Sequence, residues 1–218
     1  MKNIQKKLKE MAYKYIKEKI IFCELVPGSV IQENEIANEL SISRTPVREA
    51  LLELEKEGYV NIVPRQATTV PKVSLKDINE IIQIRNIIEV QCLKLIETPL
   101  AEEIKEKLRE FKTIFQNYIN INKENNYKEF LQNDLEFHVY LVSLLGNSQL
   151  TNFCRELLYK SLRFWYLMIV GVERRISESS TEHVKIIDFL LENNIDKAAK
   201  ALEEHILVSK ESMLIINE

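Results

Sequence analysis

The chain reads as a mainly α protein in two parts, an N-terminal winged helix-turn-helix followed by an all-helical bundle. Three observations carry this. The run Ser43-Arg44-Thr45-Pro46-Val47-Arg48-Glu49-Ala50-Leu51 opens a short helix with two arginines and two hydroxyls at its start. A second short amphipathic segment, Glu33 to Leu40, precedes it across a tight connector. Proline stops at Pro99, and helical periodicity dominates beyond it.

The elements follow in order. Ile4 to Ile21 predicts a lysine-rich amphipathic helix with Leu8, Met11, Ala12, Tyr15 and Ile16 inward. Pro27-Gly28 makes a turn. Glu33 to Leu40 forms the first helix of the motif, with Ile36, Ala37 and Leu40 on one face, and Ser41-Ile42 connects it to the second. Ser43 suits an N-cap, and Pro46 falls in the first turn, where its missing N–H costs little. Leu51, Leu52, Leu54 and Tyr59 supply a core face, and Gly58 ends the helix. Val60-Asn61-Ile62-Val63 alternates like a strand, Pro64-Arg65-Gln66 turns, and Thr68-Thr69-Val70 returns.

Two helices followed by a hairpin make a winged helix. Its second helix enters the DNA major groove N-terminus first. Arg44 and Arg48 then sit where a guanidinium can reach guanine O6 and N7 or clamp a phosphate, with Ser43 and Thr45 beside them. Arg65 falls at the wing tip, near the minor groove or the backbone. Surface arginines on an ordinary capped helix are the plainer alternative, and the hairpin that follows argues against it.

Pro71-Lys72 marks the boundary between a DNA-binding domain over 1–72 and an all-helical domain over 73–218. Periodicity places helices in the second domain at 75–97, 101–122, 126–145, 148–171, 178–192 and 195–215. Apolar residues make up 45% of the chain, enough for a sizeable core, yet no apolar run is long enough to span a membrane. No secretory signal follows the basic start, and Cys23, Cys92 and Cys154 are far apart and odd in number. They read as reduced thiols of a cytoplasmic protein. Residues 1–72 hold 12 Lys/Arg against 10 Asp/Glu, the remainder 18 against 23. A slightly basic reading head on an acidic body fits that asymmetry.

His138, His183 and His205 are the chain's three histidines, each on the inward face of a predicted helix. Asp134 lies one turn before His138 on the same face. Four candidate ligands on three helices thus converge on one interior. Imidazoles with a carboxylate suit a divalent transition ion such as zinc, nickel, manganese or iron, and an ionised aspartate buried without a counter-charge would be costly. Arg85, one turn before Glu89, lies near the register of Ile81, Ile84 and Ile88. It is either half of a surface pair or a carboxylate clamp facing the cavity.

These residues resemble a known family. Ser43 to Leu51, with Pro27-Gly28 before and Glu57-Gly58-Tyr59-Val60 after, looks like the winged helix of GntR-type bacterial transcription regulators. The second part resembles the FadR branch and its all-helical FCD effector domain. Arg85 with Glu89, Asp134 with His138, Gly146-Asn147, Glu182-His183, Asp196 and Glu204-His205-Ile206 fall at that domain's landmarks. The resemblance implies a homodimer on a palindromic operator. It also implies a cavity that holds a metal on Asp134, His138, His183 and His205 beside a small carboxylate, and DNA contacts from Arg44, Arg48, Ser43 and Thr45. Two departures stand out: Asn34 occurs where some members carry a DNA-touching arginine, and Ala67 where the wing usually has glycine.

The expectation is a cytoplasmic transcription regulator whose operator affinity answers to a small organic acid bound beside a divalent metal, with Arg85 holding the acid. One alternative makes the metal itself the signal. Another, a metal-dependent hydrolase with a DNA-binding head, lacks a spare inward acid or base once Asp134 is a ligand.

Overall fold

The computed structural model describes residues 2–72, 74–119, 127–170 and 173–214. The chain forms two compact units, Met1–Ser74 and Leu75–Glu218.

In the first unit α1 (Lys2–Ile21) packs on α3 (Arg44–Lys56), and α2 (Glu33–Glu39) braces α3 from another side. The buried stripe of α1 is Ala12, Ile16 and Ile20, four residues apart, set against Val47, Ala50, Leu51 and Leu54 of α3. Each buried aliphatic side chain contributes roughly 1.5–3 kcal/mol. Two residues expected inside lie outside: Met11 is 39% exposed and Leu52 is 51% exposed. Both flank the buried stripe by one residue, about 100° around the helix, which turns them to solvent.

Gly58 adopts φ 80, which a Cβ would disfavour. Its N–H donates to Glu55 O and that of Tyr59 to Leu54 O, the paired closure that stops a helix on a left-handed residue. Strands β1 (Asn61–Val63) and β2 (Ala67–Thr69) then pair antiparallel, with Asn61 opposite Thr69. The segment after the Pro27-Gly28 turn joins their far edge, since Gly28 N–H donates to Val70 O and Ile31 N–H to Thr68 O.

The second unit comprises α4 (Leu75–Lys94), α5 (Glu102–Ile119), α6 (Tyr127–Ser143), α7 (Ser148–Ile169), α8 (Glu173–Leu191) and α9 (Ile195–Leu214). Helix α8 packs on α5 and α9, α9 on α4, and α6 on α7. The expected ends at 120–122, 126, 171 and 215 lie outside the described residues. The start of α8 differs from expectation by five residues, since the helix begins at Glu173 and not at 178. Ser177, Ser179, Ser180 and Thr181 lower the intrinsic helix preference there. Burial of Ile176, Ser179 and Ser180 overrides it. None of the described helices is long and apolar enough to cross a membrane.

Candidate nucleic-acid interface and metal centre

The candidate reading face is built by the start of α3. Ser43 holds the extended N-cap conformation, φ −75 and ψ 164, but its side chain makes no capping hydrogen bond. The cap expected from its hydroxyl is therefore absent. Ser43, Arg44, Thr45 and Arg48 are all exposed, while Pro46 and Val47 turn inward. Arg44 Nη1 donates to Asn34 Oδ1 at 3.2 Å, and Arg48 Nε donates to Glu33 Oε2 at 2.6 Å. Asn34 thus supports an arginine on the neighbouring helix.

Arg65 lies exposed at the hairpin turn with φ 63. The left-handed turn conformation falls on Arg65, and Ala67 takes an ordinary strand position opposite Val63. Arg44, Arg48 and Arg65 line one cleft of about 390 Å³ between helix and wing, together with Glu33 and Asn34. Three cations around a concave surface suit a polyanion.

In the second unit the four expected ligands meet. Ligand atoms of Asp134, His138, His183 and His205 all lie within 4.8 Å of one another. His183 Nε2 is 3.3 Å from His138 Nε2 and 3.3 Å from Asp134 Oδ1. All three imidazoles are buried. Helix α6 delivers Asp134 and His138, α8 delivers His183 and α9 delivers His205. Phe115 and Phe137 wall the back of His183, with ring centroids 4.3 and 5.1 Å away.

Outer partners fix the imidazoles. His138 Nδ1 meets Glu89 Oε2 at 2.6 Å, and His205 Nδ1 meets Glu182 Oε2 at 2.6 Å. Burial alone would raise the Glu89 carboxyl, but the Arg85 guanidinium and His138 overcome it and hold it at about 2. Glu182 is likewise lowered against its burial, by His205 and Arg175. Ionised carboxylates only accept, so each Nδ1 carries the proton and each Nε2 lone pair is left for the shared centre. Burial, then the neighbouring histidines, push His183 well below its ordinary value; burial also lowers His205, against the pull of Glu182. Neutral imidazoles are the form that ligates.

This donor set fits a divalent ion. Two nitrogens at roughly 2.0–2.1 Å from one ion sit about 2.8–3.4 Å apart across octahedral or tetrahedral angles, and the His138–His183 separation of 3.3 Å falls in that span. Carboxylates on the outer nitrogens are the usual support of a metal-binding histidine. Of the three imidazoles, that of His183 has an Nδ1 with no hydrogen-bond partner among the described residues.

Arg85 is 3% exposed, so it is not half of a surface pair. Its Nε donates to Glu89 Oε1 at 2.6 Å, its guanidinium lies 5.7 Å from the Trp165 ring centroid, and its Nη2 has no hydrogen-bond partner among the described residues. A cavity of about 40 Å³ brings Arg85, Asp134 and His205 together with Arg175, Ser179 and Trp165. Arg175 and Ser179 escape the sequence reading. Residue 175 falls before the expected start of α8, and nothing local marks it as inward. The bridge from Glu89 to His138 spans 49 residues and has no local signal either.

Comparison with known proteins agrees with both halves. The profile described as "Bacterial regulatory proteins, gntR family" matches residues 8–70, and that of the FCD domain matches residues 80–207. The chain is 24% identical over 210 residues to the HTH-type transcriptional repressor RspR of Escherichia coli, covering 96% of this chain and 90% of that one. It is 26% identical over 199 residues to an HTH-type transcriptional regulator of Streptomyces ambofaciens, covering 89% and 80%. Among solved structures, a GntR protein of Rhodococcus sp. RHA1 superposes with a TM-score of 0.80 at 19% identity, covering 94% and 97%. McbR/YncC of E. coli superposes at 0.76 and 18% identity, covering 97% and 99%. At those identities the superpositions speak for the fold.

Proposed function

Since the chain belongs to the GntR family of bacterial regulatory proteins and carries an FCD domain, and so is a DNA-binding transcription regulator and not an enzyme, we propose that a small organic acid bound beside a divalent metal sets its operator affinity. The observation that carries this reading is one cavity joining three things: ligand-set members Asp134 and His205, a buried guanidinium with an unpartnered Nη2, and a second arginine, Arg175. A buried donor left without an acceptor costs free energy, and a carboxylate oxygen is the acceptor it lacks.

Arg44 and Arg48, with Ser43 and Thr45, serve the major groove, and Arg65 the backbone or minor groove. One short recognition helix reads few base pairs, so two copies on a palindromic operator supply the specificity. Asp134, His138, His183 and His205 would hold a divalent metal, which when bound would supply Lewis-acid attraction for a carboxylate; Arg85 orients the acid, and the Phe115 and Phe137 rings exclude water behind His183. The acid shifts operator affinity only as far as its own affinity differs between the two states of the protein.

A second reading makes the metal the signal, and the size of the cavity favours it. About 40 Å³ admits roughly three waters on the same measure, so only a small acid enters without rearrangement. Thermal unfolding of the full chain with zinc alone, with carboxylates alone and with both separates the readings. A ligand at 100 times its Kd stabilises by about 2.7 kcal/mol. On the acid reading carboxylates stabilise only with zinc present; stabilisation by zinc that no carboxylate extends supports the metal as signal.

A further inference from the structure

We propose that Glu89 is a positioning residue for the metal centre: bridging Arg85 and His138, it fixes the His138 tautomer whose Nε2 lone pair faces Asp134 and His183. The inference rests on the metal reading above and adds a residue outside the ligand set.

The geometry is a buried chain of three groups. Arg85 Nε donates to one oxygen of Glu89 at 2.6 Å, and the other oxygen meets His138 Nδ1 at 2.6 Å. All three side chains are at most 3% exposed, so water offers no alternative partner. A guanidinium has donors only, and a carboxylate between two donors accepts from both. Nδ1 must therefore carry the imidazole proton, which leaves Nε2 free to ligate. The same carboxylate holds Arg85 in place beside the cavity, with Nη2 left over. One residue thus sets both the metal ligand and the candidate anion clamp, and His183, whose Nδ1 has no partner among the described residues, shows no equivalent there.

Glutamine at this position makes the claim testable through orientation. Its carbonyl oxygen must turn to Arg85, which can only donate. Its amide NH2 then faces His138 Nδ1 and demands a lone pair there. The proton moves to Nε2 and points into the ligand set. Removing the guanidinium frees the amide to rotate, so its carbonyl can accept from Nδ1 again.

The experiment uses full-length protein, with zinc affinity read by chelator competition and the His138 tautomer read by 15N NMR of the metal-free form. Wild type should show Nδ1–H. Glu89→Gln should show Nε2–H and lose about 10–100-fold in zinc affinity, the range for outer-sphere partners. The double variant Arg85→Met, Glu89→Gln should recover Nδ1–H and most of the affinity; a merely structural role predicts that it is worse than either single change. Zinc bound by Glu89→Gln as tightly as by wild type, or no recovery in the double variant, overturns the inference and leaves the metal reading intact. Wild type that binds no zinc overturns both. Should Glu89→Gln fail to fold, the wild-type spectrum decides, since His138 carried as Nε2–H overturns the inference.

Discussion

Arg48 donates from Nε to Glu33 Oε2 at 2.6 Å, which places a carboxylate on the face proposed to meet DNA. The pair is exposed, so it adds only about 0–1 kcal/mol to folding. Its weight falls on binding, because Glu33 neutralises a cation and repels phosphate. Glu33→Gln should raise affinity for random-sequence DNA more than for the operator. Titrations of both duplexes at matched salt check this, and unchanged or weaker random-sequence binding would count against it.

Alanine at Arg44 or Arg48 should cost about 1–3 kcal/mol of operator binding if the lost contact is to a base edge. Folding should be untouched, since both side chains are exposed. A loss shared equally by operator and random DNA would instead mark a phosphate clamp, with a shallower salt slope.

His183→Ala and His205→Ala should lower metal content and blunt the response to any carboxylate, while random-sequence DNA binding stays at the wild-type level. The two histidines come from α8 and α9, so on the metal reading their loss would untie those helices from α6. Stoichiometric metal retained by the double variant would place the ion elsewhere.

The metal-free protein should lose stability as pH falls below 6.5. Burial holds His183 and His205 below that ordinary value, so the unfolded chain takes up protons that the folded core refuses. Unfolding then binds protons, and acid favours it. Each imidazole contributes a slope of up to about 1.4 kcal/mol per pH unit between its unfolded and folded values. Glu89, held at about 2, adds its own loss only below its ordinary 4.5. Urea midpoints measured with chelator at about pH 7.5 and about pH 5.5 check the sign; equal midpoints would contradict it.

Local rules made the reading head legible. Pro46, Gly58 and the Pro64-Arg65-Gln66 turn each act within a few residues, and the helix-helix-hairpin order follows from them. The three histidines were legible because each fell in phase with an apolar stripe. What lay hidden depended on contacts far apart in the chain. Leu52 and Met11 are apolar but sit just off the buried stripes. The start of α8 is polar, and its contact with α5, where Ser177 Oγ donates to Ile119 O, lies 58 residues back in the chain. Arg85 could be placed on a helix but not assigned to the interior until the Glu89–His138 contact fixed it there.

The most direct test is operator affinity of the zinc-loaded protein at fixed salt, measured across small mono- and dicarboxylates and repeated after zinc is removed. On the acid reading, at least one acid should shift the affinity by about 5–150-fold, the span of a coupling of about 1–3 kcal/mol, and the shift should vanish without zinc. An equal shift in the zinc-free protein, or no shift from any acid while zinc is bound, would contradict it.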